Sequence, residues 1–188
     1  ITAVGNDVYA DKIRNECISA GIDISHILKV EDHASSTYIS VLDENGDMFV
    51  ALSDMSVLQE MTVDFIHSKS SIIKGSRLIT CDPALHPDVM EEILNLYSDT
   101  IPVFVDPVSC AYAETIVDFI GKFHTAKPNI LETEILSGMK IKSKKDLYKA
   151  AEKILDKGLK RIFISLGADG CLYMDREGKH IERKNNLA

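Results

Sequence analysis

The sequence predicts an α/β fold: a mainly parallel sheet flanked by helices on both faces, with a small antiparallel hairpin. Short apolar strands alternate with helical stretches along most of the chain, which is typical of parallel sheets covered by their connecting helices. Two further strand-like runs flank an Asn-Gly pair. The chain has 188 residues, 45% of them hydrophobic. That is enough for one domain over residues 1–188, with the hairpin inserted at residues 35–54.

The first elements are a strand and a helix. Residues 1–5 have the apolar composition of a buried strand. Asn6 and Asp7 are good N-cap residues for the helix that follows, and Gly21 stands where a left-handed C′ residue ends such a helix. The chain begins with Ile1 and stops at Ala188 with no helix to close its last strand, so we expect it to be part of a longer protein.

The hairpin is predicted from residues 36–43 and 47–53, which are strand-like. Between them, Asn45 and Gly46 both tolerate positive φ, and Asn-Gly is a strong hairpin signal.

The rest of the chain alternates strand and helix. Strands are expected at residues 77–81, 102–106 and 161–165, an extended piece ending at 127, and a further strand at 171–174. Helices are expected around residues 62–69, 87–97, 112–120, 130–137 and from Ser143 to about Gly158.

Composition excludes several classes of function. A formal net charge of -8 argues against a nucleic-acid groove, which needs clustered Lys and Arg. No apolar run approaches the ~18 residues of a membrane span, and no signal peptide is visible. The four cysteines form no CxxC pair, and the six histidines show no metal-ligand spacing. We therefore expect a cytoplasmic protein.

Polar residues follow several of the predicted strands. Ligands bind beyond the carboxyl ends of strands in open parallel sheets, so Asp82, Asp106, Asn129 and the turn at 165–170 should meet in one crevice. Asp82 either accepts hydrogen bonds from vicinal sugar hydroxyls or caps the turn at Pro83, and its sequence context leaves both open. For Asp106, fixing a turn is favoured over lining the site.

The segment from Lys127 to Glu132 is the sharpest local signal. Pro128 favours a helix start at Asn129, and Glu132 lies almost one helical turn further on the same side. An amide and a carboxylate placed in this way can order water around Mg²⁺. The alternative is a capping box, in which Glu132 bonds back to Asn129. From the residues alone, the capping box is favoured.

The turn from Ser165 to Gly170 combines a hydroxyl with two glycines, Gly167 and Gly170. Such a turn lets backbone N–H groups approach a nucleotide phosphate. It matches neither the Walker A loop nor GxGxxG. A plain tight turn between strands is the alternative.

Taken together and in this order, these segments resemble the PfkB/ribokinase-like carbohydrate kinases. The matching pieces are residues 3–7 with their helix, the hairpin, the KPNxxE segment at 127–132 and the Ser-Leu-Gly-x-x-Gly turn. Residues 36–38, 42–48, 51–55, 105–109 and 124–136 are most similar to the pseudouridine kinases of that group.

The resemblance implies an ATP- and Mg²⁺-dependent kinase that phosphorylates the 5′-hydroxyl of a ribosyl nucleoside or sugar, with pseudouridine preferred. It assigns the nucleotide and magnesium side to Asn129, Glu132 (through water), Ser165, Gly167 and Gly170. It assigns the substrate side to Asp82 and to the hairpin, which would act as a lid carrying Thr37 and Tyr38. A homodimer through the unpaired edge of that lid is also expected.

The sequence departs from the family pattern at two places. Members carry an additional first strand with a glycine-rich substrate segment, and a later Gly-Ala-Gly-Asp segment that supplies the general base; neither occurs here. No catalytic base is therefore assigned, and we expect this polypeptide alone to be inactive although its parent is a kinase. The rival is a non-catalytic nucleoside- or sugar-binding module of the same fold. A dehydrogenase is disfavoured because no glycine fingerprint follows the first strand.

Overall fold

The computed structural model describes residues 1–44 and 48–183. The predicted Asn45-Gly46 turn lies outside the described residues. Backbone contacts divide the chain into two compact units, which are described one at a time. The amino-terminal unit is Ile1–Lys69 with Ala84–His86, and the sheet unit is Ser70–Pro83 with Pro87–Ala188. The prediction of one domain over 1–188 stays a prediction.

In its described residues, the amino-terminal unit contains two small sheets and two helices. Its elements are β1 (Thr2–Val4), α1 (Val8–Ser19), β2 (Ile27–Lys29), β3 (Thr37–Leu42), β4 (Met48–Asp54), a 3₁₀ turn (Ser56–Glu60) and α2 (Val63–Ser68). Strand β1 pairs in parallel with β2, and β3 pairs antiparallel with β4.

The start of α1 is tied to the root of the hairpin. Asp7 is the N-cap and accepts from the Ala10 amide at 2.8 Å, and its two oxygens also accept from the amide and the hydroxyl of Ser35 at 2.7 and 2.8 Å. Gly5 lies directly under this segment, since a Cβ there would be 2.2 Å from the carbonyl oxygen of His33. The backbone leading into β3 is therefore fixed from two sides.

The hairpin itself is exposed. Ile39 pairs with Leu52 and Val41 with Val50, so these four side chains share one face. All four are exposed, Leu52 at 63%. The pattern of the strands is confirmed, but the apolar face is not buried.

The sheet unit is built on one mixed six-stranded sheet with the order β10-β9-β8-β7-β6-β5. Its strands are β5 (Ile79–Cys81), β6 (Val103–Val105), β7 (Thr125–Ala126), β8 (Arg161–Ser165), β9 (Cys171–Asp175) and β10 (His180–Arg183). Its helices are α3 (Ser70–Lys74), α4 (Pro87–Tyr97), α5 (Cys110–Ile116), α6 (Ile130–Ser137) and α7 (Lys144–Asp156), with 3₁₀ turns at Ile120–Lys122 and Gly167–Asp169. Strands β5 to β8 are parallel, and β9 and β10 are antiparallel.

The core lies where α6 and α7 pack on β8 and β9. Ile162, Ile164 and Leu172 on that face are fully buried. On the opposite face, Phe163 pairs with Tyr173, and their ring centroids lie 4.8 Å apart. Phe163 remains exposed.

Two glycines fix the end of α7 against the turn before β7. A Cβ on Gly121 would lie 1.9 Å from the carbonyl oxygen of Lys157. Gly158 has φ +127°, and a Cβ there would lie 2.7 Å from the carbonyl oxygen of Gly121. No larger residue fits at either position without moving backbone.

The predicted α/β class, with a parallel core, helices and an antiparallel hairpin, is confirmed. Some boundaries differ. The helix expected at 112–120 is α5, which begins earlier at Cys110 because Ser109 caps it with a 3.2 Å bond from the Tyr112 amide. Strands β2 and β10 were not expected. Among the described residues, no helix is both long enough and apolar enough to cross a bilayer.

Candidate functional site

The predicted polar residues of the sheet unit gather at one edge. Strands β5, β6, β7 and β8 are parallel neighbours, so their carboxyl ends lie side by side. Asp82 follows β5 directly, Asp106 follows β6, Asn129 comes three residues after β7, and Ser165 ends β8. The arrangement expected from the alternation of strands and helices is observed.

Asn129 and Glu132 form a complete capping box at the start of α6. The Asn129 side chain accepts from the Glu132 amide at 2.9 Å. Glu132 Oε2 accepts from the Asn129 amide and Oε1 from its side-chain NH₂, each at 2.8 Å. Glu132 is only 2% exposed, whereas Asn129 is exposed. The buried carboxylate thus holds the exposed amide in one orientation.

Ser165 is joined to the same segment. Its amide donates to the Pro128 carbonyl at 2.9 Å, and its hydroxyl lies 3.4 Å from that oxygen. A parallel bridge pairs Asn129 with Ser165. The structure therefore brings together two residues that lie 36 positions apart in the sequence.

The turn after Ser165 is closed by its own backbone. The Leu166 amide donates to the Gly170 carbonyl at 2.8 Å. Gly167 has φ +61° and Gly170 has φ +100°, a region that L side chains rarely adopt. Nothing lies within 4 Å of the position that a Cβ would take on Gly167. The turn is thus open on the side of this glycine.

Asp106 fixes the turn after β6. Its Oδ1 accepts from the Val108 amide at 3.3 Å, and its Oδ2 lies 2.8 Å from the ammonium of Lys127. The ion pair links the ends of β6 and β7. Val108 has φ +63°, and among the described residues it is the one non-glycine residue with a positive φ.

Asp82 is exposed and directly follows the buried Cys81. Burial, followed by the nearby Asp82 carboxylate, raises the pKa of the Cys81 thiol to about 12. The edge of the sheet therefore changes from a dry interior to solvent within one residue.

Thr37 and Tyr38 belong to the amino-terminal unit, at the start of β3. The Thr37 hydroxyl donates to the Ser35 carbonyl at 3.2 Å. Tyr38 is exposed and pairs with Ser53 on β4.

The described residues contain no cluster of three or more His, Cys, Asp or Glu side chains arranged to hold a metal ion. Magnesium bound mainly through water and nucleotide oxygens needs no such cluster. Each Glu132 oxygen accepts one hydrogen bond from Asn129 and keeps a further lone pair. The donor chemistry of this pair fits a hydrated Mg²⁺.

Sequence reasoning assigned no role to Lys127 or Val108. Lys127 opens the recognised segment, but its ion pair with Asp106 across two strand ends is visible only once β6 and β7 are known to be neighbours. A positive φ at Val108 has no signal in the sequence, because β-branched residues rarely adopt it.

Comparison with known proteins shows one family. Residues 1–185 match the pfkB family carbohydrate kinases. The chain is 32% identical over 179 residues to the pseudouridine kinase of Escherichia coli K12, covering 95% of this chain and 57% of that protein.

Solved structures are similar over the same length. A candidate sugar kinase from Clostridium perfringens has a TM-score of 0.77 and 37% identity, with 93% of this chain and 55% of that chain covered. A candidate ribokinase II from E. coli in complex with ATP and Mg²⁺ has a TM-score of 0.82 at 15% identity, with 100% and 62% covered. The fold is therefore ribokinase-like, and the chain spans somewhat more than half the length of these proteins.

Proposed function

Because the chain belongs to the pfkB family of carbohydrate kinases, we propose that its full polypeptide transfers the γ-phosphoryl group of ATP to the 5′-hydroxyl of a ribosyl nucleoside or sugar, with pseudouridine preferred. The observation that carries the proposal is the meeting of Asp82, Asn129 and Ser165 at one edge of the sheet. The pseudouridine preference is supported by the similarity to the E. coli enzyme, whose name states that substrate.

The nucleotide lies over the ends of β7 and β8. The amides of Leu166, Asp169 and Gly170 donate to carbonyls within the turn. The N–H groups of Gly167 and Ala168 would therefore be the ones that approach phosphate oxygens. The exposed Asn129 amide, held by Glu132, donates to the phosphates from the neighbouring strand end. In phosphoryl transfer most of the catalytic benefit comes from such positioning and charge stabilisation.

Magnesium that accompanies ATP would be held through water by Asn129 and Glu132. When bound, Mg²⁺ neutralises charge that develops on the phosphoryl oxygens. The protein's own part is to fix the exposed Asn129 side chain, and the hydrogen bonds that it makes with the buried Glu132 do so.

The acceptor lies over the end of β5. The exposed Asp82 carboxylate can accept hydrogen bonds from two vicinal sugar hydroxyls, a pattern that a ribosyl group offers. The hairpin with Thr37 and Tyr38 acts as a lid, which would expel water and orient the hydroxyl. A homodimer through this lid is part of the proposal, because its apolar face is exposed. The four cysteines are free thiols, which fits a reducing compartment such as the cytoplasm.

An assay of the full polypeptide with γ-labelled ATP and a panel of pseudouridine, uridine, ribose and other nucleosides tests the proposal. We expect transfer to pseudouridine, and about tenfold or greater loss of kcat/KM for Asp82→Asn, since the substrate's hydroxyls lose a charged partner. Asp99→Asn, an exposed carboxylate that follows α4, is the matched control and should leave kcat/KM unchanged. Absence of ATP-dependent product from every acceptor would reject the kinase.

The 188-residue chain should be inactive in the same assay, because its sequence holds no Gly-Ala-Gly-Asp segment. The second candidate, a nucleoside- or sugar-binding module of the same fold without catalysis, is favoured if the full polypeptide carries no Gly-Ala-Gly-Asp segment after Ala188. Two measurements on the full polypeptide distinguish the candidates. A binding module binds a nucleoside in calorimetry but forms no ADP from ATP in the kinase assay.

A further inference from the structure

Val108 is held in a strained conformation on the surface of the candidate site. Its φ of +63° belongs to the left-handed region, which β-branched residues avoid and which Gly or Asn adopts at lower cost. Its side chain is 64% exposed, so burial in the core does not compensate for the strain. Strained residues of this kind concentrate where function requires them.

The turn around Val108 is anchored on both sides. Asp106 accepts from the Val108 amide at 3.3 Å and pairs with Lys127 at 2.8 Å. On the other side, the Ser109 amide donates to the Pro107 carbonyl at 2.6 Å, and the Ser109 hydroxyl caps α5. The valine is therefore presented by a fixed frame and not by a loose loop.

The position of the turn indicates which ligand Val108 meets. Strand β6 lies between β5, which ends at Asp82, and β7, which leads to Asn129. The turn thus lies between the proposed acceptor and the proposed phosphates. A valine offers neither charge nor a hydrogen bond to a phosphate, but it can pack on the apolar carbons of a ribose or a nucleobase.

We infer that Val108 is a specificity-determining residue that packs against the apolar surface of the acceptor nucleoside. The inference rests on the proposed function, because it takes the ribosyl acceptor from it. The strain at φ +63° is then retained because only a side chain, and not a glycine, makes this contact.

The test measures nucleoside binding by calorimetry and thermal unfolding on the full polypeptide and its Val108→Gly variant. The glycine relieves the strain but has more freedom in the unfolded chain, so the two effects oppose each other and the variant should still unfold cooperatively near the wild-type temperature. Its Kd for pseudouridine, or for whichever panel nucleoside binds most tightly, should rise about tenfold, as expected when one buried valine contact is lost. The KM for ATP should stay unchanged if the protein is active.

Val108→Ala and Leu96→Ala are a matched pair of truncations. Leu96 is also exposed, but it lies near the end of α4, which returns toward the opposite edge of the sheet. Only the Val108 variant should weaken nucleoside binding.

Each result is decisive. An unchanged Kd in Val108→Gly would overturn the inference, since the valine would then contribute nothing to nucleoside binding. A protein that binds the nucleoside but does not phosphorylate it would reject the kinase and leave the Kd comparison valid. A wild-type protein that binds no nucleoside or sugar would overturn both proposals.

Discussion

The pairs β3–β4 and β8–β9 are both antiparallel, yet they are stabilised in different ways. In β8–β9, Ile164 and Leu172 face each other and are fully buried under helices. In β3–β4, Ile39 and Leu52 face each other in the same way and are more than half exposed. A two-stranded hairpin by itself is marginal in water. The sheet pair is therefore held by its core, whereas the hairpin depends on its root and on whatever covers its apolar face.

Thiol labelling gives the largest expected contrast. Cys81 in the sheet has a pKa near 12, whereas an exposed thiol placed in the hairpin by Leu52→Cys should ionise near the ordinary value of 9.0. At mildly alkaline pH the Cys81 thiolate should be about a thousandfold rarer, and alkylation correspondingly slower. Mass spectrometry of iodoacetamide-treated protein measures both rates, with the exposed Cys110 as internal control.

The same thiol makes the sheet unit sensitive to high pH. The pKa of Cys81 is raised in the folded state, so the unfolded thiol ionises first as the pH rises. The contribution of the Cys81 thiol to the free energy of unfolding is therefore fully present below pH 9.0 and is lost as the pH rises from 9.0 to about 12. If the labelling experiment showed that Cys81 is alkylated as fast as Cys110, the burial of Cys81 at the end of β5 would be disproved.

Truncation in the core of the sheet is the next largest effect. Ile164→Ala should lower the free energy of unfolding by about 3 kcal/mol, because it leaves a cavity between β8 and the helices. Urea denaturation followed by circular dichroism measures the change. A loss below about 1 kcal/mol would mean that this face is not closely packed.

The root of the hairpin should show a smaller effect. Ser35→Ala removes a buried hydroxyl that donates to Asp7 at 2.8 Å and accepts from the Gly5 amide at 3.1 Å. We expect a loss of about 1–3 kcal/mol, because the buried amide loses its partner. Hydrogen exchange of the β3 amides should accelerate, while exchange in β8 should not change.

The pH dependence of the root follows from Asp7. Hydrogen bonds from the Ser35 amide, then from the Ala10 amide, lower the pKa of Asp7 below its ordinary 3.8. The stabilisation is present above pH 3.8 and disappears as the pH falls through the lowered pKa. Acid titration of the wild type and of Asp7→Asn, which lacks the titrating carboxylate, should therefore show a smaller loss of stability with falling pH in the variant. Identical acid profiles would contradict the proposed anchoring.

The smallest effect is expected on the face of the hairpin. Leu52→Ala should change stability by about 0.5 kcal/mol or less in a monomer, because the side chain is exposed. In a dimer formed through the hairpin, the same variant should raise the dissociation constant. Analytical ultracentrifugation over a range of concentrations distinguishes the two cases. If Leu52→Ala self-associates as the wild type does, the apolar face of the hairpin is not a dimer interface.

Much of the fold followed from local signals. The limits of α4 and α6 were predicted to within a residue. In the structure Pro87 begins the first, and Gly138, at φ +65°, ends the second. Strand β2 was missed because three residues cannot display a period of two. Strand β10 was missed because Ile181 is its one apolar residue.

The candidate site was predictable in outline but not in detail. Polar residues after parallel strands must share an edge, so Asp82, Asn129 and Ser165 could be grouped from the sequence. The capping box, favoured on the residues alone, is formed. Its magnesium role stays a prediction. The conformation of Val108 could not be foreseen, since its φ is imposed by the surrounding turn and not by its own preference.

The contact between Gly121 and Gly158 also bears on how the molecule can be re-engineered. Because the two backbones touch, the joint between α7 and β8 (residues 157–160) is a poor place for a fused reporter, an affinity tag or a new chain terminus. Loops that connect a helix to a strand are otherwise common sites for such changes. A residue inserted there would have to displace backbone, because a Cβ on Gly121 would already lie 1.9 Å from the carbonyl oxygen of Lys157. Fusions and circular permutations of this protein should therefore leave the joint intact.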